Sequence, residues 1–276
     1  MSIPNPPSIT LNNGVEIPQL GFGVWQISDH QAPAVVGQAL RAGYRSIDTA
    51  SIYGNEAGVG RAVAESGLAR EEVFVATKLW NANQGYDTTL RAFDASLARL
   101  GLDHVDLYLI HWPAPARNRY QDTWRAIERL TGEGRIRAAG VSNFQPAHLQ
   151  RLLDTSDLVP AVNQIELHPG LQQNEVRAFH AKHGIATEAW SPLAQGAVLA
   201  DPVITAIAGR TGKSPAQVVL RWHLEIGAIA IPKSATPARI RENLDILDFQ
   251  LTDEDLTAIA GLDRNLRTGP HPDSFN

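Results

Sequence analysis

The sequence predicts an α/β fold in which parallel strands close on themselves, and three observations predict it. Eight short apolar runs alternate with eight amphipathic helical patterns along the chain, which is the signature of repeated strand–helix units. The 276 residues suit one closed barrel of about 250 residues. The glycine fingerprint of an open, doubly wound sheet, G-x-G-x-x-G, is missing. Gly21-Phe22-Gly23 continues Val24-Trp25-Gln26, and Gly58-Val59-Gly60 continues Arg61-Ala62-Val63. The expectation is a (β/α)8 TIM barrel with an N-terminal β-hairpin cap and two extra helices, one domain over residues 1–276.

The elements follow in order. Ile9-Thr10-Leu11-Asn12-Asn13-Gly14-Val15-Glu16-Ile17 reads as a hairpin placed to cap the barrel bottom, because Asn-Gly supplies the positive φ angles of a tight turn. Strands are predicted at 21–25, 46–48, 73–78, 105–111, 136–141, 161–165, 186–190 and 228–232. Helices are predicted at 34–41, 56–66, 88–100, 121–131, 147–154, 174–183, 215–224 and 237–244. Within 88–100, Leu90, Phe93, Ala95 and Leu97 roughly follow helical spacing. Two further helical stretches, 202–210 and 253–262, fall outside the repeat. Asp253-Glu254-Asp255 suits the N-terminus of the second, where the dipole favours acidic groups.

Composition narrows the function. Hydrophobic residues make up 43% and charged residues 19%, enough to bury a sizeable core. Cysteine is absent, which excludes disulfide scaffolds, thiolate zinc sites and cysteine nucleophiles. A net charge of −5 argues against a general polyanion binder, so nucleic acid is not an expected partner. No apolar run approaches the roughly 18 residues of a membrane span. The start, Met1-Ser2-Ile3-Pro4-Asn5, lacks the basic and apolar regions of a signal peptide. A cytoplasmic location with no membrane partner is the expectation.

In a barrel, functional groups come from the C-terminal ends of several strands. Here those ends carry Asp48 with Tyr53 behind it, Lys78 with Trp80, His111-Trp112, Ser142-Asn143, Gln164, Trp190-Ser191 and Lys233-Ser234. Lysine is scarce, four against 20 arginines, and two of the four fall at strand ends. A tyrosine hydroxyl ordinarily keeps its proton at neutral pH. A lysine ammonium beside it lowers its pKa toward the working range, and an aspartate keeps that lysine charged. A histidine can orient a substrate oxygen. The set suits proton donation to a carbonyl oxygen. None of the four can donate a hydride, so carbonyl reduction requires a cofactor.

The eighth unit offers a place for one. In Lys233-Ser234-Ala235-Thr236-Pro237-Ala238-Arg239, Thr236 reads as an N-cap and Pro237 as the first helical residue. Free amides, the helix dipole, Lys233 and Arg239 would favour a phosphate there, hence NADP rather than NAD. Trp25, Trp80 and Trp112 follow strand ends and are candidates for the substrate pocket.

These residues resemble the aldo-keto reductase family. The matching segments are Gly43-Tyr44-Arg45-Ser46-Ile47-Asp48-Thr49-Ala50, Tyr53-Gly54-Asn55-Glu56, Lys78-Leu79-Trp80 and Asp106-Leu107-Tyr108-Leu109-Ile110-His111-Trp112-Pro113. Further matches are Gly140-Val141-Ser142-Asn143-Phe144, Asn163-Gln164-Ile165-Glu166 and Ile231-Pro232-Lys233-Ser234. The chain is most similar to bacterial 2,5-diketo-D-gluconate reductases at Glu166-Leu167-His168-Pro169, Ser191-Pro192-Leu193-Ala194-Gln195-Gly196 and Leu220-Arg221-Trp222-His223.

The resemblance implies a catalytic tetrad of Asp48, Tyr53, Lys78 and His111, with Tyr53 the general acid, and NADPH as cofactor. It implies that Ser142, Asn143 and Gln164 hold the nicotinamide carboxamide and that Trp190 stacks on the nicotinamide. Ser191, Leu193 and Gln195 would wrap the pyrophosphate. Lys233, Ser234 and Arg239 would grip the 2′-phosphate, with Glu242 and Asn243 near the adenosine. Trp25, Trp80 and Trp112 would wall the carbonyl pocket. Many members carry Tyr where this chain has Trp190. The segments 114–119 and 264–276 are short, so an open pocket is expected.

The implied activity is NADPH-dependent reduction of small aldehydes and ketones, including keto-sugar acids and dicarbonyls such as methylglyoxal, by a monomer. A nicotinamide-sensing binding protein on the same barrel is the alternative, which the complete tetrad argues against. A metal-dependent hydrolase would need a ligand cluster, and only Asp48 and His111 are obvious candidates. His180 and His183, three apart on a helix, read as a solvated face, and His168 as structural. Trp124 and Trp222 read as helix packing.

Overall fold

The computed structural model describes residues 6–276, so the reading of residues 1–5 as lacking a leader lies outside the described residues. Two short strands, β1 (Ser8–Thr10) and β2 (Glu16–Pro18), form an antiparallel hairpin. Eight parallel strands follow: β3 (Phe22–Gly23), β4 (Ser46–Asp48), β5 (Phe74–Leu79), β6 (Val105–Ile110), β7 (Ile136–Ser142), β8 (Val162–Glu166), β9 (Ala186–Trp190) and β10 (Ile229–Ala230). They pair in sequence order, and a parallel bridge from Leu20 to Ala230 joins the last strand to the first.

The helices are α1 (Ala32–Ala42), α2 (Glu56–Ala64), α3 (Tyr86–Leu100), α4 (Tyr120–Gly132), α5 (Pro146–Leu153), α6 (Asn174–His183), α7 (Pro202–Thr211), α8 (Pro215–Glu225), α9 (Pro237–Leu244) and α10 (Asp253–Ala260). Of these, α7 and α10 are the two outside the repeat. They pack with α8 around Ile204, Ile207, Val218, Trp222 and Ile259. The fold is the expected (β/α)8 barrel.

The first and last barrel strands are shorter than predicted, because the seam departs from regular pairing. Gly21 N–H donates to Ala230 O at 2.9 Å, and Gly23 N–H to Pro232 O at 3.1 Å. A Cβ at Gly23 would come within 3.0 Å of the Ile231 carbonyl oxygen. The Gly-x-Gly pair serves close strand approach at the seam.

Side chains alternate across each strand. Outward residues such as Val75, Tyr108 and Val141 pack with the helices. Inward residues Phe74, Ala76, Leu107, Leu109, Ala138, Val162 and Ile229 form an apolar layer, which Leu11 and Ile17 of the hairpin complete. Asn12 and Asn13 pin the hairpin by donating to Pro160 O (3.2 Å) and Arg137 O (2.8 Å). Its turn is looser than a two-residue Asn-Gly turn: Thr10 pairs with Glu16, and of Asn13 and Gly14 only Gly14 has positive φ, +83°.

His180 departs from its predicted solvated face. It is buried, with Nε2 at 2.8 Å from Asn163 Nδ2 and Nδ1 at 2.8 Å from Thr187 Oγ1. Its helix turns this face onto the barrel, where the polar strand residues Asn163 and Thr187 meet it. His183 stacks on Phe179, ring centroids 4.3 Å apart.

Candidate active site

Beyond the apolar layer, the same alternation puts polar groups inside the barrel. Phe74 and Ala76 on β5 are followed inward by Lys78, and Leu107 and Leu109 on β6 by His111. Lys78 is fully buried and Asp48 is 2% exposed. The Lys78 ammonium donates to Asp48 Oδ1 at 2.5 Å and to Thr49 O at 2.9 Å. It also lies 5.2 Å from the centre of the Tyr53 ring, and Tyr53 meets His111 edge-on at 5.8 Å. The four predicted catalytic residues are therefore neighbours.

Their electrostatics differ from the prediction in one respect. Burial is the largest influence on the Tyr53 phenol and raises its pKa; Lys78 opposes it, Asp48 and Glu188 add to it, and the net direction is upward. The lysine pull exists but does not outweigh desolvation. Burial pulls Lys78 down, yet Asp48 and Tyr53 outweigh that and it stays an ammonium. Burial, then the Lys78 charge, holds His111 well below the ordinary histidine range, so its ring is neutral. His111 Nδ1 is buried without a partner among the described residues.

A hydrogen-bonded chain links the residues expected to hold a carboxamide. Ser142 Oγ donates to Gln164 O at 2.8 Å, and Asn143 Nδ2 donates to His111 O and Ser142 Oγ, both at 3.0 Å. Trp190 Nε1 donates to Asn143 Oδ1 at 2.8 Å. A tyrosine at that position has no ring N–H for this bond. Gln164 Nε2 donates to Asp48 Oδ2 at 2.9 Å and to Glu188 Oε2 at 2.8 Å.

The loop after Trp190 winds through left-handed conformations at Ser191, Ala194 and Gln195, φ +46°, +48° and +54°. Leu193 is half-buried and Gln195 exposed. Such clustered backbone strain is common where a loop clamps a ligand. On the eighth unit, Lys233 and Arg239 are exposed and unpaired among the described residues. The Thr236 side chain makes no capping bond, contrary to its reading as a cap; its N–H instead donates to Ser234 Oγ at 3.1 Å. Its place at the start of α9 stands, with Pro237 as the first helical residue. Glu242 is half-buried and Asn243 buried on the same helix.

Of the three tryptophans, Trp80 meets His111 at 5.3 Å and Trp112 meets Trp190 at 6.5 Å. Trp25 is 47% exposed and makes no ring contact with either among the described residues. The mouth is less open than its short loops suggested. Phe275 lies 4.6 Å from Trp112 and 6.2 Å from Trp80, and Asn276 Oδ1 accepts from Ala116 N–H at 2.7 Å. The buried Glu166 carboxylate anchors this tail, accepting from Thr268 Oγ1 at 2.6 Å and Gly269 N–H at 3.2 Å. A Cβ at Gly269 would come 2.5 Å from the Trp190 ring.

Sequence reasoning missed Glu188, Glu166 as an anchor, and the tail. Glu188 was within reach, since it stands two residues before Trp190 on the same strand face. Among the described residues no group of three or more His, Cys, Asp or Glu is placed to hold a metal ion, and no helix is long and apolar enough to cross a membrane.

A barrel whose mouth gathers a tyrosine, a buried lysine–aspartate pair and a neutral histidine defines an oxidoreductase of carbonyl groups. Residues 19–264 match the model of the aldo/keto reductase family. The chain is 52% identical to a glyoxal reductase of Bacillus subtilis over 97% of each chain. It is 52% identical to a methylglyoxal reductase DkgA of Yersinia pestis, over 98% of this chain and 97% of the relative. Among solved structures, an NADPH complex of a Gox0644 variant superposes with a TM-score of 0.95 at 46% identity, covering 99% of this chain and all of that one. The chain belongs to the aldo/keto reductase family.

Proposed function

We propose that Tyr53 protonates the oxygen of a small aldehyde or ketone, with α-dicarbonyls such as methylglyoxal as the preferred class and keto-sugar acids as further substrates. The protein is an NADP-dependent oxidoreductase acting on carbonyl groups. The observation that carries the residue roles is the buried Lys78–Asp48 pair at 2.5 Å beneath the Tyr53 ring. Aspartate keeps the lysine charged. The lysine counters the desolvation that would otherwise make the phenol a still weaker acid. The phenol therefore keeps its proton until negative charge develops on a carbonyl oxygen. His111, neutral, orients that oxygen by a hydrogen bond.

The residues present fit an NADPH. Lys233 and Arg239, exposed before and within the first turn of α9, suit a phosphate, the strained 191–195 loop suits a pyrophosphate, and Ser142, Asn143 and Gln164 form a polar rail beside Trp190. When bound, NADPH supplies the hydride. Trp80, Trp112 and Phe275 give the pocket aromatic walls that suit small, flat carbonyls. The chain acts as one domain and as a monomer in the cytoplasm. Sedimentation at working concentration tests the monomer, and fractionation of the source cells tests the location.

The deciding experiment follows NADPH absorbance with methylglyoxal, glyoxal and 2,5-diketo-D-gluconate. Tyr53→Phe lowers kcat by about 10²–10⁴-fold while NADPH fluorescence reports unchanged cofactor affinity. Normal turnover in that variant would rule out Tyr53 as the acid.

A further inference from the structure

Glu188 is a buried carboxylate that the chemistry above does not use. It lies on β9, 1% exposed, and its side chain makes one hydrogen bond among the described residues, from Gln164 Nε2 at 2.8 Å. The second hydrogen of that same nitrogen goes to Asp48 Oδ2 at 2.9 Å. One amide group therefore joins two carboxyl groups inside the barrel. With both N–H bonds committed, Oε1 is the one polar atom of the Gln164 amide with bonding capacity left, and it has no partner among the described residues.

We propose that Glu188 is a positioning residue: it fixes which way the Gln164 amide faces, so that Gln164 presents an acceptor, and not a donor, to the carboxamide of the cofactor. An amide can turn by half a rotation with little change in shape. Only its hydrogen-bond partners decide between the two faces. Asp48 takes only one of the two amide hydrogens; without an acceptor at Glu188 the other is left unpaired inside the barrel and the amide is free to swing about its single bond to Asp48, carrying Oε1 out of line.

The role has a charge condition. The titratable groups facing Glu188 are Asp48 on β4, Tyr53 in the turn after it and Lys78 on β5, with the neutral His111 just after β6 beyond Lys78. Its strand neighbours contribute the uncharged Gln164 and Ile229. One ammonium thus faces two carboxyl groups. Burial first, then the Asp48 charge, pushes the Glu188 carboxyl up to about 8 against the pull of Gln164 and Lys78. Below that pH Glu188 is uncharged and Lys78 serves Asp48 and Tyr53 alone. Above it, the new charge makes the Tyr53 phenol a weaker acid.

The inference rests on the reductase reading, and its test separates the two. NADPH affinity is measured by fluorescence for the wild type, Glu188→Met and Glu188→Gln, and kcat/KM with methylglyoxal is followed from pH 6 to 10. Glu188→Met, which removes the acceptor, weakens NADPH binding about tenfold; Glu188→Gln, which keeps an acceptor oxygen but cannot ionise, restores it to within about twofold. In the wild type kcat/KM falls through an alkaline limb near 8, and in Glu188→Gln that limb moves to higher pH. Wild-type affinity in Glu188→Met overturns the proposal, as does an unmoved alkaline limb in Glu188→Gln. If Glu188→Met does not fold, the limb in Glu188→Gln decides. A wild type that binds NADPH yet reduces no carbonyl sinks the reductase reading and leaves the affinity comparison to decide the role of Glu188.

Discussion

The floor and the mouth of the barrel are built from the same strands, yet they treat buried charge in opposite ways. Near the floor, the Asp106 carboxylate receives Arg70 at 2.7 Å, Arg137 at 2.6 Å and the Val75 N–H at 2.8 Å. Both oxygens are satisfied by cations that reach solvent. At the mouth, one buried ammonium faces Asp48, Glu188 and Tyr53, and His111 Nδ1 has no partner among the described residues. The first arrangement holds a strand in place. The second is left incomplete, and incompleteness of buried polar groups is where a ligand's own groups can be recognised.

Breaking the mouth pair gives the largest effect on stability. Lys78→Met leaves Asp48 buried and unpaired and destabilises the fold by about 3–5 kcal/mol, read from urea unfolding. Adding Asp48→Asn recovers much of that stability but not turnover. A double variant that regains turnover would show the pair to be merely structural. On the floor, Ile17→Ala opens a cavity beneath the apolar layer and costs about 2–5 kcal/mol. Its kcat per folded molecule stays at the wild-type value; a drop would mean that floor and mouth are coupled.

A smaller effect comes from acid. His111 is held well below the ordinary range, and His180 and His223 are each pushed down to about 3, all three chiefly by burial. These rings are neutral in the fold, whereas the unfolded chain takes up protons near 6.5. The stability present above 6.5 is lost as pH falls toward 3, at up to about 1.4 kcal/mol per pH unit for each ring. Urea midpoints at pH 7, 6 and 5 measure that slope. His180→Gln makes it shallower, and an unchanged slope would place the acid sensitivity elsewhere.

The strand–helix rhythm was legible because most strands are apolar on both faces over the lower layers, so the runs stand out. Asp48, Lys78 and His111 were legible because they end such runs. The face of Glu188 was readable from Trp190 two residues on, but its partner was not, since a single strand does not reveal that Gln164 on the next strand will reach it. His180 shows the same limit on a helix: its burial depends on Asn163 and Thr187, strand residues brought in by the fold. The tail was illegible for a further reason. Its course is set by Glu166, about 100 residues away in sequence, and no local pattern in 264–276 encodes that contact. The Tyr53 shift needed the depth of burial, which sequence spacing does not supply.

The hairpin under the apolar layer has one more consequence. It seals the lower end with Leu11 and Ile17, which makes the barrel a vessel with a single door. The polar groups around Lys78 are then reached from the opposite end, past the rings of Phe275, Trp80 and Trp112. Entry and exit then share one passage, and its width is set by aromatic rings that the tail brings back over the barrel.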